Sequence, residues 1–127
     1  SVVTIPYLSF NSWHFNKKMC DWAVSKMYKI NVAKRKEYIT PYTKETVENL
    51  LKANNIKLDN EVGYDAVYVA NMAKADFYGS SISDDAHLAK FIKDYLDDPD
   101  GYDGIVFTRF YADCIGSGTP IMWEDML

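Results

Sequence analysis

Residues 94–104 read DYLDDPDGYDG, with five carboxylates and two glycines in eleven positions. That composition suits a cation loop, a patch aimed at a basic partner, or a helix exit. A twelve-residue calcium loop needs acids at positions 1, 3 and 5, glycine at 6 and glutamate at 12. Placing Gly101 at position 6 puts Leu96 first and Phe107 last, and placing Gly104 there puts Pro99 first. Neither register supplies a ligand set, so no metal is expected. The run Asp98-Pro99-Asp100-Gly101 has the composition of a type I turn. That accounts for the turn but not for the crowding of Asp94, Asp97, Asp98 and Asp103 around it. Negative charge at a helix C-terminus opposes the dipole, so helix stability gives no reason for Asp97 and Asp98.

Other chemistries find less support. The imidazoles and thiols are His14, Cys20, His87 and Cys114, and no two of them stand at Cys-x2-Cys spacing. The same four residues would have to furnish any Cys–His nucleophile, yet Cys114 falls on an apolar stripe where a thiol is inert. GSGTP, residues 116–120, lacks the lysine and the following long helix of a phosphate loop. Carboxylate pairs abound, but fourteen acids between Asp59 and Leu127 make pairs by chance. No catalytic signature emerges, and the expectation is a protein that is not an enzyme and needs no cofactor.

The charge map is lopsided. Residues 1–58 hold ten Lys/Arg and four Asp/Glu, a balance of +6, whereas residues 59–127 hold four and fourteen, a balance of −10. Such asymmetry points to a charged partner for one half, or to halves that face each other. Carboxylates spaced along a surface imitate duplex phosphates and fit a basic groove on another protein. Neighbouring tyrosines add rigid apolar contact. The expected partner surface is therefore Asp94, Tyr95, Asp97, Asp98, Asp100, Tyr102 and Asp103. The alternative is nucleic-acid contact through the basic run Lys34, Arg35 and Lys36, although the sequence pI of about 5.0 is far below that of dedicated binders.

Elements that position these residues are mainly helical. The chain of 127 residues, 48% apolar and 25% charged, suits one globular domain spanning residues 1–127. Residues 1–10, β-branched but broken by Pro6, read as an extended arm or edge strand. Phe15, Met19, Trp22, Ala23 and Met27 set a helical period, giving a first helix at about 12–29 capped by Asn11 or Ser12. NVAKRKEYITPY, residues 31–42, is polar and reads as a connector. A second helix starts at a Thr43 cap with a Val47, Leu50 and Leu51 stripe, and Asn54 and Asn55 favour a left-handed exit. A third, capped by Asp59 or Asn60, is apolar over most of its surface and so central, with Val62, Val69, Met72, Ala73 and Phe77 on one side. Gly79 ends it. The fourth is capped by Ser83 and packs Leu88, Phe91, Ile92, Tyr95 and Leu96. The fifth carries Val106, Phe107, Phe110, Tyr111 and Cys114, although GIVFTRF would also suit a strand. PIMWEDML closes the chain as a helical turn. The expected fold is a compact bundle of about five helices.

No apolar run approaches the length that spans a membrane, and two thiols without a framework suit a reducing cytosol. The segments YDAVYVANMAKADFYGSS and DDPDGYDGIVFTRFYADC resemble those of small, functionally uncharacterised proteins encoded by bacteriophages of gut Firmicutes. The resemblance carries no catalytic residues. It implies the bacterial cytoplasm during infection, and a place among small acidic phage proteins that include inhibitors of host defence such as anti-CRISPR proteins. The expected function is then inhibition of a nucleic-acid-handling host factor through the acidic surface. The alternative is a phage accessory protein that binds nucleic acid through the basic half.

Overall fold

The computed structural model of the protein describes residues 15–36 and 39–114. The expected arm, the Asn11 and Ser12 caps and the closing turn at 120–127 lie outside them. So do the side chains of Arg35, Phe107, Asp113 and Cys114.

Among the described residues five α-helices follow in order: α1 (Lys17–Arg35), α2 (Lys44–Ala53), α3 (Tyr64–Asp76), α4 (Asp85–Asp97) and α5 (Asp103–Cys114), with a 3-10 turn (Pro99–Tyr102) between the last two. No strand occurs among the described residues. Tyr78 and Ile82 form a single isolated bridge, and the GIVFTRF segment is helical.

Asn16 starts α1, its side-chain oxygen accepting from the Met19 amide at 3.0 Å. The helix runs farther than its apolar period indicates, because residues 31–35 are helical and not a connector. Two features favour the extension: Pro41 is the first proline after Phe15, and Lys34 and Arg35 place positive charge at the negative end of the dipole. Lys36 ends the helix in the left-handed region at φ 58°, its amide donating to the Val32 carbonyl at 2.8 Å.

Thr43 and Thr46 cap α2 reciprocally, each hydroxyl accepting from the other's backbone amide at 3.2 and 2.6 Å. Val47 and Leu51 are buried, and Asn55 takes the left-handed exit at φ 62°. The start of α3 differs from the sequence expectation. Its cap is Gly63, with no side-chain bond, and Asp59 and Asn60 stay outside. Buried Val62 and Val67 then occupy the positions of a hydrophobic staple across the first turn. The cap of α4 is Asp84 instead of Ser83. Its carboxylate accepts from the His87 amide at 2.8 Å, and a charged cap at the positive helix end outdoes a hydroxyl one residue earlier.

Nine of the thirteen residues of α3 are buried, and the helix packs against α1, α2, α4 and α5. Phe15, Tyr68 and Phe110 meet as a ring cluster with centroids 5.5–5.8 Å apart, tying the segment that leads into α1 to α3 and α5. Tyr111 leaves the expected stripe of α5. It is 43% exposed, since it follows Phe110 and points off the buried face that Val106 and Phe110 define four residues apart.

Of the two buried polar side chains among the described residues, Asn31 and Asn71, the second lies deeper. Asn71 is fully buried, and its oxygen accepts from the Tyr42 amide at 2.8 Å. Its nitrogen donates to the Tyr42 carbonyl at 3.1 Å and to the Val67 carbonyl at 2.9 Å. The segment leading into α2 is thereby held to the centre of α3.

Candidate functional site

The acidic stretch lies where α4 gives way to α5. Asp98 makes the corner. Its amide donates back to the Asp94 and Tyr95 carbonyls, and its carboxylate accepts from the Gly101 amide at 3.3 Å. Pro99 occupies the first position of the 3-10 turn, where its missing N–H has no partner to lose. A side chain at Gly101 would run into the Asp98 carboxylate. The Asp-Pro-Asp-Gly composition therefore forms a tight turn, as one turn of 3-10 helix.

The carboxylates divide into three roles. Asp94 and Asp97 pair with Lys90 and Lys93 one helical turn back, at 3.1 and 2.6 Å. Asp98 caps the turn. Asp100 and Asp103 sit in the first turns of the 3-10 helix and of α5, on the favourable side of a helix dipole. Burial, with the Asp100 charge adding, holds the Asp103 carboxyl above the usual aspartate range. Local structure thus gives reasons for Asp97 and Asp98 that the sequence withheld: a lysine partner for the first and a capping bond for the second. After pairing, Asp98, Asp100 and Asp103 have no ion pair among the described residues. Asp98 and Asp100 are exposed and Asp103 is half-buried.

The two tyrosines part company. Tyr95 is fully buried and its hydroxyl donates to Asp65 on α3 at 2.7 Å, so it supports the surface and cannot touch a partner. Its place on the inner face of α4, one turn from Ile92 and two from Leu88, decides this. Tyr102 is half-buried. A chain of tilted and edge-on rings runs from Phe77 to Phe91 at 6.1 Å, on to Tyr102 at 5.6 Å and back to Tyr95 at 6.2 Å. The turn therefore rests on a packed aromatic base.

The basic run occupies the other end of the charge map. Lys34 lies in the last turn of α1 and Lys36 just beyond it, both exposed, and neither forms an ion pair among the described residues.

A cleft of about 600 Å³ between α1 and the beginnings of α2 and α3 had no signal in the sequence. Its lining includes Lys17, Cys20, Tyr42, Lys44 and Tyr64. Both lysines are engaged. Lys17 pairs with Asp21, and Lys44 bonds Glu61 at 3.2 Å while standing 4.3 Å over the Tyr64 ring. Burial first, and the Asp21 charge second, push the Cys20 thiol up to about 12. At neutral pH it is held in the protonated form, which disfavours nucleophilic attack. Among the described residues no three His, Cys, Asp or Glu side chains gather closely enough to hold a metal ion. No helix among them is long and apolar enough to cross a membrane.

A family model described as a domain of unknown function, DUF7841, matches residues 1–114. No curated protein and no solved structure matches the chain.

Proposed function

The chain belongs to this family of unknown function, and we propose that it is a non-enzymatic binding protein whose α4–α5 turn engages a basic groove on a protein that handles nucleic acid. The observation that carries this reading is the trio Asp98, Asp100 and Asp103. They surround a single 3-10 turn, have no ion pair among the described residues, and are backed by the Phe77–Phe91–Tyr102–Tyr95 rings. Charges held on a packed base need little ordering on association, which removes one of the main costs of binding. Their mutual repulsion is relieved when a cationic surface arrives, and a complementary field speeds encounter. The resemblance to phage proteins directs the choice of partner to a host defence factor in the bacterial cytoplasm, in the manner of an anti-CRISPR protein.

The test is quantitative binding to a captured host protein, comparing the parent chain with the double reversal Asp100→Lys/Asp103→Lys. The reversal is expected to lower affinity at least tenfold, or about 1.4 kcal/mol. Affinity of the parent should fall as salt rises, since screening acts within about 8 Å at physiological ionic strength. The reversed protein should keep its helical spectrum, because Asp100 is exposed and replacing half-buried Asp103 at the start of α5 forfeits a dipole interaction of only about 0.3–1 kcal/mol. Unchanged affinity in the reversed protein would overturn the reading. A second reading rests on the exposed Lys34 and Lys36, which form no ion pair among the described residues. It predicts that neutralising these two, together with Arg35, abolishes retention on nucleic acid while the aspartate reversal strengthens it.

A further inference from the structure

We draw no further inference here: the strongest candidate, the open apolar groove between α3 and α5 lined by Met72, Phe77, Ile105, Thr108 and Ala112 beside the Asp76–Arg109 ion pair, is an unpartnered face, and nothing in the structure shows what covers it.

Discussion

Replacing Asn71 by alanine removes the amide that holds the entry to α2. Three hydrogen bonds disappear, but their consequences differ. The Val67 carbonyl keeps its helical partner, the amide of residue 71 itself, so that loss is minor. Among the described residues the Tyr42 amide and carbonyl have no such reserve, since both of their bonds go to the Asn71 side chain at 2.8 and 3.1 Å. Leaving a buried backbone group unsatisfied costs about 1–3 kcal/mol. Tyr42 is half-buried, so water reaches part of the site and the lower half of that range applies to each group. The summed loss is about 2–4 kcal/mol. For a domain of this size that lowers the melting temperature by roughly 7–15 °C. Urea titration followed at the helical circular dichroism band measures the loss as a shift of midpoint at constant slope. A second variant, Asn71→Asp, separates hydrogen bonding from volume. Its carboxylate would face the Tyr42 and Val67 carbonyls without a proton to donate, so it should be the less stable variant at neutral pH. Its folded-state pKa would be raised above the unfolded value, so its deficit relative to the parent should shrink as pH falls through that folded pKa. A loss below about 1 kcal/mol for Asn71→Ala would show that the connector is held by other contacts, and the argument from the two Tyr42 groups would fail.

Removing the Tyr95 hydroxyl in Tyr95→Phe deletes the 2.7 Å bond to Asp65 while keeping the ring. A bond to a charged acceptor is worth about 1.5–3 kcal/mol, and a denaturation midpoint unchanged from the parent would contradict this. In a Cys114→Ser background, Cys20 should react with a thiol reagent only as fast as the protein unfolds; rapid labelling of the folded protein at pH 8 would refute its burial. The Cys20 pKa is raised from 9.0 to about 12, so its contribution to stability is full below pH 9 and is lost as pH rises toward 12. Alkaline melting should therefore begin later in Cys20→Ala than in the parent once their neutral-pH difference is subtracted. Calcium should leave the melting temperature unchanged, as neither register of the 94–104 stretch supplies the ligands; a rise of several degrees at sub-millimolar calcium would reverse that conclusion.

Periodic apolar spacing made α2 and α4 legible, because each turns a single stripe inward, and for α2 the Thr43 cap could be read as well. The central place of α3 was legible for the opposite reason: apolar residues covering most of a helix leave no face for water. Boundaries were harder. Choosing Asp84 over Ser83 depends on which side chain reaches the His87 amide, and Gly63 starts α3 with no side-chain bond at all, so tertiary packing settles both starts. The last turns of α1 were hidden because Lys34, Arg35 and Lys36 look like a loop in composition, although positive residues suit a helix C-terminus. In the acidic stretch the turn could be read from Pro99 and Gly101. The sorting of its carboxylates could not, since Lys90 and Lys93 act as partners only once α4 sets them one turn back. Tyr95 and Tyr102 differ by seven positions and share a composition signal, but only one faces α3. Asn71, which looks like an ordinary polar residue in a helix, gave no sequence signal for its reach of 29 residues to Tyr42.

The burial of α3 on nearly all sides bears on how this protein can drift. Each of the other helices turns one flank outward, where a change of side chain meets only water. The stretch Ala66–Ala73 has no exposed residue at all, so every exchange there must be answered by a second one in α1, α2, α4 or α5. Small residues at 66, 70, 73 and 75 let neighbouring helices approach closely, and enlarging any of them would push a neighbour aside. Variation tolerated singly should therefore accumulate on the outer flanks, the acidic turn included. The acidic turn between α4 and α5 is then free to change charge by charge, while α3 packed behind it can change only in concert.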